Sequence, residues 1–254
     1  MNPEVPANYD LSEFLASMPV SYRMAFSSSD ARQHAAIVAR RGARPIHVEL
    51  WRSLPTGGAT LCIVAEDRPA LLSLIGAGLV EFRLDVTSAE IYCRTPSERP
   101  VEAVDLFWVR ATGANGKERA IETTEIVDLS LRLEQLVSEP GPLERLGANG
   151  ESLPPLEPIP TSRVFFEDKA LESGLNVLVV EAHDRPGLLL SLVRVLHRQG
   201  VDIVASEIRT EGHHVRDRFT LVDGRGSPLT PERRNTIEEA VRRALATRTK
   251  PSHY

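Results

Sequence analysis

Two short turns in this sequence each place an acid, a cation and a proline directly before a run of apolar residues with helical spacing. Residues 67–70 have the sequence DRPA, and residues 184–187 have the sequence DRPG. The amides and positive end of a helix bind carboxylates, and a glycine such as Gly187 lets a ligand approach the backbone closely. These residue types therefore predict a site for a small molecule that carries a carboxylate.

The same turn also fits a purely structural role. Proline is favoured at the first position of a helix, and an aspartate before it can accept hydrogen bonds from the free amides of the first turn. In this interpretation Pro186 begins the helix and Asp184 caps it. The turn alone does not decide between a ligand site and a capped helix.

An internal repeat connects the two turns. Residues 66–92 align with residues 183–209 without a gap. Matches of this density in a single register indicate a duplication. The identical pairs include Asp67/Asp184, Arg68/Arg185, Pro69/Pro186, Leu71/Leu188, Leu72/Leu189, Asp85/Asp202, Glu90/Glu207 and Ile91/Ile208.

Each copy predicts the same elements around its turn: an added strand, a second strand, a helix, two more strands and a closing helix. Two helices on one face of a mainly antiparallel sheet bury this pattern, so we expect an α+β fold. Gly200 is expected to end the second copy's first helix, whereas Phe82 and Arg83 must end the corresponding helix differently. The expected strands are 45–51, 60–65, 86–93, 101–109, 162–168, 176–182, 203–210 and 214–222, with closing helices at 118–137 and 231–246.

Changes in composition divide the chain into four parts. Residues 1–45 do not repeat and contain two helical patterns with N-terminal capping signals. The proline- and glycine-rich residues 138–161 predict an extended linker. We therefore expect an N-terminal helical segment and then two domains, at residues 46–137 and 162–249.

The composition is typical of a globular protein and argues against several functions. The 254 residues are 42% hydrophobic and 26% charged, with a formal net charge of −5. This charge argues against nucleic-acid binding, and no apolar run is long enough for a membrane span. The N-terminus lacks signal-peptide features, and Cys62 and Cys93 lack metal-site spacing. We expect a cytoplasmic protein with buried thiols, no metal and no other cofactor.

No set of residues has the spacing of a known catalytic site. His183 and Asp184 form an HD pair as in metal-dependent phosphohydrolases, but no second His/Asp cluster accompanies them. Residues 113–118, GANGKE, lack the first glycine and the Ser/Thr of a phosphate-binding loop. No nucleophile has a base in a recognisable setting. We therefore expect a protein that is not an enzyme.

Both copies resemble ACT domains, the small-molecule sensing modules of amino-acid metabolism. The second copy matches best, with DRPGLL at 184–189, GVDI at 200–203 and DRFTLVD at 217–223. The tandem arrangement, from residue 46 to residue 248, is most similar to the C-terminal ACT pair of the bacterial PII uridylyltransferase family and its stand-alone relatives. The resemblance implies two tandem ferredoxin-like modules of βαββα type, each with an added N-terminal strand.

The resemblance also implies where a ligand binds. In ligand-binding ACT domains the effector lies between two modules, against the turn before the first helix and the polar residue that starts the next strand. The helix end would bind the carboxylate of an amino acid and the aspartates its ammonium group, with glutamine as the expected effector. The implied residues are Asp184, Arg185, Gly187 and Leu188 with Asp202 in the second copy, and Asp67, Arg68, Ala70 and Leu71 with Asp85 in the first.

Two departures from the family pattern concern these sites. Ala70 places a methyl group where the second copy has Gly187, so we expect the second site to bind its ligand more tightly. Aspartate at positions 85 and 202 allows like-charge repulsion inside a pocket. The resemblance implies a sensor in nitrogen or amino-acid signalling that acts on a protein partner, and it leaves a homodimer open. The alternative is a protein-interaction module that binds no effector.

Overall fold

Two units with the same order of elements make up most of the structure. They follow an N-terminal group of three helices, and the elements of both units join in one sheet. This computed structural model describes residues 10–54, 58–97, 99–113, 118–139, 162–185 and 187–246.

The N-terminal group consists of α1 (Leu11–Ser17), α2 (Val20–Ala25) and α3 (Ser28–Arg41). The Asp10 carboxylate accepts hydrogen bonds from two amides of α1, and Ser27 begins α3 with a capping box. Both helices predicted here are therefore confirmed. Helix α2 was not predicted, because its six residues carry no side-chain cap.

The two units contain corresponding elements. The first consists of β1 (Ile46–Ser53), β2 (Ala59–Glu66), α4 (Leu71–Glu81), β3 (Leu84–Arg94), β4 (Glu102–Thr112), the two-residue β5 (Glu118–Arg119) and α5 (Thr123–Ser138). The second consists of β6 (Arg163–Phe166), the short α6 (Asp168–Glu172), β7 (Asn176–His183), α7 (Leu188–Arg198), β8 (Val201–Glu211), β9 (His214–Asp223) and α8 (Pro231–Ala246).

A single antiparallel sheet runs through both units in the order β1-β2-β4-β3-β8-β9-β7-β6, with β5 added beside β4. The units meet where β3 pairs with β8, and at that seam Glu90 lies opposite Glu207. Each unit thus has the ferredoxin-like βαββα order with an added strand at the outer edge. The predicted α+β fold class is confirmed.

The two faces of the sheet are covered differently. Helices α4, α5, α7 and α8 bury the alternating apolar side chains of one face, and α4 packs against α7 across the seam. The N-terminal helices cover the other face of the first unit, where Phe14, Tyr22 and Ile37 pack with Cys62 and Leu106. Full burial of each large side chain contributes about 1.5–3 kcal/mol. The N-terminal segment is therefore part of the core of the first unit.

Four residues of the repeat adopt a left-handed backbone at two equivalent positions. The φ angles are 68° at Ala70 and 75° at Gly187 before the first helix of each unit, and 55° at Arg83 and 63° at Gly200 after it. The expectation that the first helix of the first copy ends differently is wrong, because Arg83 adopts the conformation of Gly200. An L residue in this conformation is strained by about 1–2 kcal/mol.

The left-handed residue also changes how the helix begins. Because Ala70 interrupts the helical dihedral angles, α4 starts at Leu71, two residues after Pro69. In the first copy the proline therefore does not occupy the first helical position, and neither Ala70 nor Gly187 contributes a side-chain cap. Pro186 and most of the predicted linker (140–161) lie outside the described residues. Within the described ranges, no helix is long and apolar enough to cross a membrane.

Candidate functional site

Two cavities lie at the seam between the units and correspond to each other by the repeat. In the Asp67 cavity, the turn before α4 faces Asp202 at the start of β8. In the Asp184 cavity, the turn before α7 faces Asp85 at the start of β3. The opposite walls also correspond, with Val193, His197, Val201 and Ile203 in the Asp67 cavity and Gly76, Val80, Leu84 and Val86 in the Asp184 cavity.

All ten predicted site residues line these cavities, and each cavity combines residues of both copies: Asp67 lies with Asp202, and Asp184 lies with Asp85. The antiparallel pairing of β3 with β8 brings the first residues of each strand to the turn of the other unit. Each cavity therefore needs both units.

The two cavities differ greatly in size. The Asp67 cavity has a volume of about 390 Å³, whereas the Asp184 cavity has about 30 Å³. A single water needs roughly 10–15 Å³ on this scale, so the smaller cavity holds only a few waters. The cavity beside Ala70 therefore offers more space than the cavity beside Gly187, and the relative affinity of the two sites stays a prediction.

One pair of equivalent residues explains this difference. The third residue of the first helix in each unit is Ser73 in the Asp67 cavity and Leu190 in the Asp184 cavity. Leu190 packs against Gly76 of α4, where an added Cβ would lie 3.4 Å from Leu190 Cδ1. The leucine thus fills the space that the serine leaves open.

Sequence reasoning missed one buried acid in each cavity. Asp105 of β4 lines the Asp67 cavity and Asp217 of β9 lines the Asp184 cavity, and each is only 1% exposed. Each carboxyl accepts a hydrogen bond from a backbone N–H, of Tyr92 and Arg209 respectively, yet the Oδ1 atom of each has no partner in the described part of the chain. The signal was an acid at the same register in β4 and β9, among alternate residues that are otherwise apolar.

Burial and like charges raise the pKa of two acids in the Asp67 cavity: Asp67 in the turn and Asp105 in the buried wall of the cavity. Burial raises the pKa of Asp67, and the charge of Asp202 raises it further, against hydrogen bonds from Cys93 and the Arg68 N–H. Burial raises the pKa of Asp105 well above its ordinary value, and Asp67 adds to this shift. The predicted like-charge repulsion therefore acts between the units. A cation in the cavity would relieve it.

The same shifts occur in the Asp184 cavity. Burial raises the pKa of Asp184. Burial also raises the pKa of Asp85, and the charge of Asp184 raises it further. Burial raises the pKa of Asp217 well above its ordinary value, with a further contribution from Asp184. The Arg110 guanidinium lowers the pKa of Asp85 and of Asp184 in opposition to these shifts, and the cavity has room for only a few waters beside the acids.

The turn at the Asp67 cavity is fixed by backbone contacts. The Arg68 guanidinium donates to the carbonyl of Val137 at the end of α5, which joins the turn to the closing helix. The Asp67 carboxylate accepts from the Arg68 amide and from the Cys93 thiol at 3.6 Å, so it does not cap α4. In the described part of the chain the N–H of Leu72 has no acceptor. A carboxylate ligand could use this amide and the positive end of α4.

The arrangement suits a zwitterion better than it suits catalysis or a metal. The Asp67 cavity offers carboxylates for an ammonium group and a helix end for a carboxylate. Its one thiol, Cys93, has a pKa raised by burial, which disfavours the nucleophilic thiolate. Among the described residues no group of three or more His, Cys, Asp or Glu side chains is placed to hold a metal ion.

The fold and the paired cavities define a class of protein. Residues 176–240 match the family model of the ACT domain, and the chain is an ACT-domain protein. The match covers the second unit from β7 into α8, including the turn at the Asp184 cavity.

Curated relatives narrow this class. The chain is 26% identical over 235 residues to the bifunctional uridylyltransferase/uridylyl-removing enzyme of Phenylobacterium zucineum, covering 90% of this chain and 24% of that protein. It is 33% identical over 199 residues to the enzyme of the same name from Burkholderia orbicola, covering 77% of this chain and 22% of that protein. The chain thus spans about a quarter of the length of these relatives.

Proposed function

We propose that this protein is a non-catalytic regulatory sensor that binds an amino acid between its two ACT units and passes the signal to a protein partner. Glutamine is the effector that we propose first, and nitrogen signalling the process. The observation that carries this proposal is the Asp67 cavity, where the turn of one unit and the first residues of a strand of the other enclose about 390 Å³. A ligand there would contact both units at once.

The charges of this cavity support a ligand with an ammonium group. Asp67 lies at the rim, where its carboxylate is partly shielded from solvent, and Asp202 approaches it from the other unit. Their mutual repulsion weakens when a cation lies between them. The ligand's carboxylate would accept from the Leu72 amide at the start of α4. We assign the effector to this cavity and give the filled Asp184 cavity a structural role.

A second candidate function is a protein-interaction module that binds no effector. The Asp184 cavity favours it, because Leu190 fills that site and leaves only about 30 Å³. In this alternative both turns serve only to begin helices. The domain limits of 46–137 and 162–249 are part of either proposal.

A thermal-shift screen with the twenty amino acids distinguishes the two functions. A ligand that binds only the folded protein stabilises it by about 2.7 kcal/mol at a concentration 100-fold above its Kd. The sensor should show a concentration-dependent increase in Tm with one or a few amino acids, glutamine among them. If no amino acid changes the Tm at millimolar concentration, the interaction module is the better description.

A further inference from the structure

The floor of the Asp67 cavity contains an acid whose chemistry the proposed function does not use. Asp105 is 1% exposed and lines the cavity together with Asp67, Cys93 and Ala103. One carboxyl oxygen accepts a backbone N–H, but Oδ1 has no partner among the described residues. A buried acceptor without a partner destabilises the protein, so a ligand that donates to it removes that cost on binding.

The cavity therefore has two levels of recognition. Asp67 at the rim and Asp202 of the other unit lie where the ammonium group of an amino acid would bind, and the Leu72 amide lies where its carboxylate would bind. Asp105 is the deeply buried acid below them. Burial disfavours the ionised form of Asp105, and an N–H or ammonium donor at Oδ1 favours it. A second carboxylate beside it would raise its pKa further, so a ligand that ends in a carboxylate would have to bind together with a proton.

We propose that Asp105 sets the ligand specificity of the Asp67 cavity by accepting a hydrogen bond from a nitrogen donor at the end of the ligand's side chain. The cavity takes side chains that end in a primary amide or an ammonium group and rejects those that end in a carboxylate. This inference rests on the proposed function of the same cavity, and it adds the class of effector.

Glutamine and glutamate provide a nearly isosteric test, since they differ by one amide nitrogen. In calorimetric titrations of the full chain, the wild type should bind glutamine about 10- to 100-fold more tightly than glutamate, as expected for one charge-assisted hydrogen bond. In Asp105→Asn the new side-chain amide can donate to a carboxylate, so the preference should fall to within about threefold, an energy difference below 1 kcal/mol. Lysine and norleucine form a second pair that tests an ammonium donor in the same way.

Asp217→Asn is the matched control, because it makes the same change at the equivalent position of the filled cavity. It should leave the wild-type preference unchanged, and Tm measurements without ligand should show that both variants are folded. Equal binding of glutamine and glutamate by the wild type, or an unchanged preference in Asp105→Asn, would overturn the role of Asp105 but leave the sensor intact. Failure of every amino acid to bind the wild type would overturn the proposed function, and this inference with it.

Discussion

Glu90 and Glu207, which occupy the same position of the two repeats, lie directly opposite each other in β3 and β8. A residue opposite its own repeat equivalent marks the position of a local twofold axis. The axis explains why each cavity combines the turn of one unit with the following strand of the other. It also explains why the cavity linings correspond residue by residue.

The acid at the turn of the Asp67 cavity should be needed for binding, and the acid at the equivalent turn should not. Asp67→Ala removes an acceptor for the ligand's ammonium group, so glutamine affinity should fall about 10- to 100-fold in calorimetry. Asp184→Ala should retain most of the wild-type affinity, because Leu190 fills the cavity beside it. The opposite ranking of the two variants would place the effector in the Asp184 cavity.

Exchanging the residues that distinguish the cavities should control access to them. Ser73→Leu should fill the Asp67 cavity as Leu190 fills the other, and should abolish the ligand-induced increase in Tm. Leu190→Ser should leave this increase in place while lowering the free energy of unfolding by about 2–5 kcal/mol, the range for truncation of a buried leucine. Normal effector binding by a folded Ser73→Leu protein would contradict the assignment of the ligand to this cavity.

Replacing a buried floor acid should change how stability depends on pH. Burial raises the folded-state pKa of Asp217 above its unfolded value near ~3.9, so the folded state binds more protons between the two pKa values and stability falls as pH rises through that window. Asp217→Asn removes this loss and should increase stability by about 1–3 kcal/mol at neutral pH, with little change below about pH 4. Denaturant titrations across pH measure this gain; a gain independent of pH would show that Asp217 is not the titrating group.

The left-handed residues of the first unit predict stabilising substitutions. Ala70→Gly and Arg83→Gly relieve about 1–2 kcal/mol of backbone strain each, partly offset by the greater entropy of glycine in the unfolded chain. We expect each to increase the free energy of unfolding by about 0.5–1 kcal/mol in urea. Gly200→Ala is the reverse control, because its added Cβ would meet no atom within 4 Å. Any decrease in the free energy of unfolding of this variant therefore reports backbone strain. Destabilisation by Arg83→Gly would mean that the arginine side chain makes the larger contribution.

Much of the architecture could be predicted from the sequence because it depends on local patterns. The repeat, the strand and helix periodicity and the N-terminal caps of α1 and α3 appear in the order of residues, and the structure has them. The sharing of Asp85 and Asp202 between units could not be predicted in this way. It depends on which strand edges pair, and β3 and β8 are more than 100 residues apart.

The site was predictable in residue type but not in shape. The turn acids were identified because aspartate before a helix has a recognisable use, whereas Asp105 lies in a strand where an apolar residue is the rule. Ala70 and Gly187 suggested that the second site has more space for a ligand. The cavity volumes instead follow Ser73 and Leu190. Packing across the seam involves side chains whose partners belong to the other unit.

The shared sheet has a consequence for how such a protein diverges. In a dimer of identical chains both sites must carry the same residues, so filling one fills the other. Here one gene encodes both halves, and the position held by Ser73 in one half and Leu190 in the other could change independently. Duplication and fusion thus allow one site to become a packed contact between the units, while the other site can still evolve to bind a ligand.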